Sequence, residues 1–457
     1  MIEWKSVGNS SVLEECIHPE VERIAKEVDV LNKTLEGVKS LILVADGKPH
    51  EAMILLKAAA TGSETRNETE GTTSGSRRVD CFVRTVEALV HLARGEMQLA
   101  CEQAESLKGL LYADDSADGP VCFRWITPVA FDTLLEVLAV CGRRAQAPQE
   151  ALAEMEAADR IVADRCQVLL KAASEHARPS RELTECLTMR ALMLQQRIQL
   201  ELTNSKFEES LKHIDEMKTL CHAVPGAVSP VVVAVIHYLT GVYLHSVECF
   251  PEAISYFRKV ISMGESQSIP FIVACARAYA ALSFLANGAS DCIGKAQEIL
   301  LPSEDGTHDF HGACMTKMAN ACILLRQDRG LEAKGMLMDL LSEARKQEME
   351  QLSAQILLHV ATVTCQRGDP HQAREMLQSS ITLAQGINDL QTSRNAIELL
   401  GSTPRDAGSA QDELELVEME EQVCERLEGS IQLATQNHIH TTVVEGAKDM
   451  AQVSEEL

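Results

Sequence analysis

Aromatic side chains are scarce in this chain: 2 Trp, 5 Tyr and 9 Phe among 457 residues. Sheets draw on aromatic and β-branched residues to fill pleated faces, so an apolar fraction supplied mainly by Ala and Leu points to closely packed helices. Long apolar runs are missing as well. Val231 to Ile236 is among the longest, far below the roughly 20 residues that span a bilayer, so no membrane partner is expected. Cations are outnumbered, with 42 Lys and Arg against 67 Asp and Glu and a net charge of −25. That balance disfavours direct nucleic-acid binding, which depends on neutralising phosphates. It favours solubility and a basic partner. The 15 cysteines include no CxxC pair. Many lie on apolar helix faces, among them Cys275, Cys292, Cys314, Cys322 and Cys365, and read as small reduced hydrophobes of an intracellular chain. The start Met1-Ile2-Glu3-Trp4-Lys5 does not read as a signal peptide.

Catalytic signatures are absent too. The sequence has no GxxxxGK[ST] phosphate loop, no GxGxxG after a strand, no GxSxG and no HExxH. The nearest metal-like cluster, His308, His311 and Cys314, supplies three ligands where a structural zinc site takes four. No catalytic residue, cofactor or metal is therefore expected, and the chain reads as a non-enzyme.

What is present is a cadence. A small residue opens a helix and a bulkier one follows four positions later, on the same face. The small positions are Ala52, Ala100, Ala151, Ser210, Ala253, Ala296, Ala333 and Ala373, at uneven intervals. The most complete instance is Thr240-Gly241 with Tyr243-Leu244, then Ala253 and Phe257. Tetratricopeptide units run about 34 residues and HEAT or armadillo units about 40–47. The small-then-bulky pair favours the tetratricopeptide type, with longer helices and looser turns. The expected fold is all-α: a right-handed superhelical solenoid of degenerate tetratricopeptide-like helix pairs. Such stacks hold other chains along a concave surface. Inward positions on the first helix of each pair are then the candidate partner-binding residues: Tyr238, Val242, His245, Leu282, Arg326, Leu358 and Thr362.

Polar segments divide the chain. Residues 61–78, rich in Gly, Ser, Thr and Glu, read as a disordered loop, and 112–121 as a second polar loop. Residues 1–400 read as one solenoid, and 401–457 as a C-terminal linker with capping helices. Trp125, in Phe123-Arg124-Trp125-Ile126, reads first as an apolar staple between repeats. Its other reading is a partner anchor.

Three blocks taken in order carry a resemblance. They are Phe123–Ile126, the Tyr238…Gly241…Tyr243 pair, and Leu357-Leu358-His359-Val360…Arg367-Gly368-Asp369…Ala373…Met376-Leu377…Ala384…Ile387-Asn388-Asp389. Over about residues 35–400 the chain resembles the tetratricopeptide subunit of the cohesin loader, the small partner of the large HEAT-repeat loader protein of Nipped-B type. The resemblance implies a solenoid enclosing an extended N-terminal segment of that large partner. It implies a nuclear, chromatin-associated complex that loads cohesin for sister-chromatid cohesion, with cohesin itself met indirectly. It also implies that the cadence begins partway through the family's superhelix, with N-terminal repeats lacking. The alternative is a generic tetratricopeptide adaptor for a chaperone, transport or transcription complex. Such adaptors place a Lys/Arg clamp in the groove, and the inward positions named above are poor in cations.

Overall fold

The computed structural model describes residues 33, 35–40, 49–61, 74–94, 96–112, 128–143, 148–173, 180–223, 230–267, 270–300, 310–404 and 410–455. Among them every regular element is a helix. A helical stretch at 35–40 precedes α1 (Pro49–Thr61), α2 (Ser74–Ala93), α3 (Met97–Tyr112), α4 (Pro128–Arg143), α5 (Pro148–Ala173) and α6 (Arg181–Thr203). There follow α7 (Phe207–Ala223), α8 (Pro230–Ser246), α9 (Phe250–Gln267), α10 (Pro270–Asn287), α11 (Cys292–Ile299) and α12 (Phe310–Arg326). The last six are α13 (Gly330–Lys346), α14 (Glu350–Gln366), α15 (Pro370–Gly386), α16 (Leu390–Ser402), α17 (Ala410–Thr435) and α18 (His438–Glu455).

The cadence is the packing code. Ala52, Ala100, Ala151, Ser210, Ala253, Ala296, Ala333 and Ala373 are each 0% exposed, so every opening small residue lies where two helices cross. Only a short side chain lets the backbones approach there. Their bulky successors Met155, Ile214, Phe257, Leu337 and Leu377 are buried beside them. Gly241 serves the same contact from the other helix: a Cβ placed on it would lie 2.6 Å from Phe257 Cε1.

The repeat is more regular than the anchors suggest. First helices begin at Pro230, Pro270, Phe310, Glu350 and Leu390, 40 residues apart. Second helices begin at Phe250, Gly330, Pro370 and Ala410 in the same register. The short α11 starts late, at Cys292, which accounts for the uneven intervals on either side of Ala296. From Gly330 to Gly386 the helices have 17 residues each, longer than a unit of about 34 residues could hold. Between Arg326 and Leu390 the connecting turns are not looser. They are three residues long, with one residue in the left-handed region: Asp328 (φ 59°), Glu348 (53°), Gly368 (82°) and Asn388 (59°). In each, the next N–H reaches back to the helix, as Met349 N to Ala344 O (2.9 Å) and Asp389 N to Ala384 O (2.8 Å). This closes the orphan carbonyls in a Schellman-like cap. Starts are capped as well: Asp369 accepts from Gln372 N (3.1 Å) ahead of Pro370, and Asp389 from Thr392 N (3.0 Å).

Two expected boundaries shift. Residues 74–78, assigned to the polar loop by composition, open α2, while 62–73 lie outside the described residues. The sequence division at 400 falls inside a ninth pair, because α16 and α17 continue the 40-residue register.

Each first helix from α2 to α14 (α2, α4, α6, α8, α10, α12, α14) packs on the next first helix, the last of them on α16, as well as on its own partner. Consecutive second helices make no comparable contact among the described residues. The closer spacing of the first helices curves the array towards them, which makes them the inner layer. The array also meets itself. Thr203 donates to Gln351 Oε1 (3.2 Å), Leu390 N to Ser205 Oγ (3.1 Å) and Arg394 to Glu248 (3.1 Å). Beyond this junction α17 lies on α7, and α18 on α7 and α9. Leu427, Ala434, Val443 and Ala447, each at most 1% exposed, join the main core.

Candidate functional site

The inner helices differ from the outer ones in exposure. Every residue in 182–203, 231–247, 272–285, 310–325 and 350–365 is buried or half-buried as a whole, with the Lys317 side chain reaching out to Glu343. The outer α13 alternates buried and exposed positions as an amphipathic surface helix does. On α14 the half-buried stripe is Gln351, Gln355, Leu358, His359, Thr362 and Cys365. This spacing follows one helix face, and it is the face that the tightly spaced first helices present inward.

The sequence-derived positions fall as follows. Val242, His245, Leu282, Leu358 and Thr362 are half-buried on α8, α10 and α14. Arg326, at the end of α12, is exposed and donates to Leu285 O (3.2 Å), which ties it to the preceding inner helix. Tyr238 is a core residue, 8% exposed, edge-on to Tyr279 at 6.0 Å and tilted against Phe257 at 6.2 Å. Its ring fills the joint between pairs, a role the inward spacing alone does not distinguish from partner contact. Trp125 and the Phe123–Ile126 block lie outside the described residues.

Polar pairs join neighbouring inner helices near their C-terminal ends. His245 Nδ1 lies 2.8 Å from Ser283 Oγ, and that hydroxyl donates to Tyr279 O (2.8 Å). The serine proton is thereby committed, so the imidazole Nδ1–H donates and His245 is neutral in that tautomer. Burial between the rings of Phe250 and Tyr279 pushes its pKa down to about 4. Further along, Cys322 Sγ is 3.7 Å from His359 Nε2, and the neighbouring thiol raises the pKa of His359. Cys365 Sγ meets Thr403 Oγ1 at 3.9 Å. The composition-based search missed these pairs because each partner lies about one repeat away in sequence. The 40-residue register is the signal that would have joined them.

No group of three or more His, Cys, Asp or Glu among the described residues is arranged to hold a metal. Of the cluster singled out in the sequence, Cys314 is a core residue, 1% exposed, and His308 lies outside the described residues. No described helix is long and apolar enough to cross a membrane. Inner-layer cations are engaged: Lys317 binds both Glu343 oxygens at 2.8–2.9 Å. The layer therefore offers an extended surface of aliphatic, imidazole, hydroxyl and amide groups, suited to many weak contacts with one chain.

Residues 149–403 match the cohesin loading factor family. The chain is 26% identical over 341 residues to the Sister chromatid cohesion protein SCC4 of Arabidopsis thaliana, an alignment covering 72% of this chain and 46% of that protein. The chain thus spans about half the length of the curated relative it matches. The family match runs from α5 to the residue after α16 and contains the whole 40-residue register of inner helices from α8 on.

Proposed function

The chain belongs to the cohesin loading factor family, and from that premise we propose that it is a non-enzymatic scaffold. Its inner layer holds an extended segment of a large HEAT-repeat partner, and the pair loads cohesin onto chromatin for sister-chromatid cohesion in the nucleus. The observation that carries the reading is the inner layer itself. From α6 to α14 it is buried or half-buried, from α8 on it repeats at 40 residues, and it lies within a turn of the array that meets itself at Ser205 and Leu390. An extended chain laid along it contacts one stripe per repeat. Affinity accumulates from area and is offset by the cost of ordering a flexible ligand.

Val242, His245, Leu282, Leu358 and Thr362 are the proposed contact residues on the described helices, with Arg326 at the edge and Trp125 as a further anchor. Tyr238 supports the layer from beneath. A clamp for an acidic tail, the adaptor alternative, is less favoured because Lys317 and Arg326 already have partners. The test is co-expression of the full chain with the N-terminal segment of a Nipped-B-type partner. A stoichiometric complex that survives moderate salt is expected, since apolar contacts are screened little. Failure to co-purify at low and moderate salt would sink the reading.

A further inference from the structure

The strict register allows each outer helix to be compared with its copies, and α13 departs from them. At its second position stands Leu331, where α9, α15 and α17 carry Pro251, His371 and Gln411. Seven residues on stands Met338, where they carry Arg258, Gln378 and Glu418. Seven further stands Arg345, where they carry Glu265, Gln385 and Glu425. The α7 copies, Glu208, Asp215 and His222, are polar as well. These positions share one helix face, so at them α13 carries two apolar residues and then a cation where the copies, Pro251 excepted, carry polar residues.

The face is open. Leu331 is 61% and Met338 43% exposed. Gly335 lies between them, and a Cβ there would meet nothing within 4 Å. Met338, Leu341, Ser342, Arg345 and Lys346 line a shallow recess of about 420 Å³ with the buried Leu341 at its floor. Arg345 and Lys346 are exposed and form no ion pair among the described residues, and the nearby Glu343 is taken by Lys317. Two unpaired cations beside an apolar stripe stand out on a chain of net charge −25.

We propose that the outer face of α13 docks an acidic amphipathic helix of a partner protein. The ligand's aliphatic side chains cover Leu331 and Met338, Gly335 permits close approach of the two helices, and its carboxylates pair with Arg345 and Lys346. Helix-on-helix recognition of this kind reads anchors at i, i+3, i+4 and i+7, and the charge pairing fixes its direction. This surface lies on the layer opposite the proposed inner groove, so either proposal can fail without the other.

The test is fluorescence anisotropy with the full chain. The probe is a labelled synthetic helix of about five turns, with Leu at a seven-residue spacing and Glu around it. Saturable binding in the micromolar range is expected. The surface variants L331S/M338S and R345E/K346E should each weaken it at least ~10-fold while leaving the melting temperature unchanged. A second probe with Lys in place of Glu should bind R345E/K346E better than the parent chain. No saturation by about 1 mM, or binding that survives both double variants, overturns the proposal. So does sedimentation showing a dimer that L331S/M338S dissolves, because the occupant is then a second copy of this chain.

Discussion

Single residues set the joints of this array. Gly241 lies under Phe257 with no room for a methyl group, because a Cβ would fall 2.6 Å from the ring. Gly241→Ala should destabilise the fold by about 1–3 kcal/mol, the usual cost of overfilling a packed core, measured by chemical denaturation. The left-handed turn residues have the opposite potential. Glu348 adopts φ 53°, at a cost for an L-residue of roughly 1–2 kcal/mol. Glu348→Gly should therefore raise stability by about 0.5–1 kcal/mol, after its greater unfolded-chain entropy is set against the relieved strain. His245 makes stability depend on pH. Its folded pKa of about 4 lies below the ordinary value of 6.5, so the folded state binds fewer protons than the unfolded one. Its contribution is intact above pH 6.5 and is lost as pH falls towards 4. The drop in melting temperature between pH 7 and pH 5 should be smaller in His245→Asn, by an amount worth about 2 kcal/mol. The small-then-bulky anchors were legible in the sequence because close helix crossings admit nothing but small residues. The core placement of Tyr238 was not, since an inward position on a first helix can face either the lumen or the joint below it.

At the scale of elements, the helix type and the membership of Gly241, Ala253 and Phe257 in one repeat could be read from local pattern. The 40-residue register could not, because α11 starts late and displaces its anchor. Helix length also misled between Phe310 and Ser402: intervals beyond 34 residues suggested loose turns, whereas in that stretch the added residues extend the helices and the turns stay at three. The least legible elements are α17 and α18, whose partners lie far away in sequence. Tyr243 Oη meets His440 Nδ1 at 3.0 Å, and Tyr256 donates to Val443 O at 3.1 Å. Val443 and Ala447 are each 1% exposed. On this packing α18 is part of the main core, and ending the chain after Asn437 should lower the unfolding free energy by several kcal/mol, and the denaturation midpoint with it, as expected when buried apolar side chains are uncovered. If α18 were a peripheral cap, removing it would leave the midpoint nearly unchanged.

The whole molecule is an acidic array with two unlike layers. Its inner layer is buried or half-buried from α6 to α14, and its outer layer is amphipathic, with exposed apolar residues on α1, α3, α5 and α17 as well as on α13. The proposed place for a long partner is the inner layer, whose helices α6 to α16 fall within the stretch that places the chain in the cohesin loading factor family. The most direct measurement is site-specific photo-crosslinking in the complex with the N-terminal segment of the large loader protein. A photoreactive benzoylphenylalanine would replace Val242 or Leu358 on the inner layer, or Gln378 on the outer face of α15. The inner positions should each crosslink to that segment, at different points along it in the order of the repeats, while Gln378 should not. Crosslinks from Gln378 with none from Val242 and Leu358 would place the partner on the outside and contradict the account.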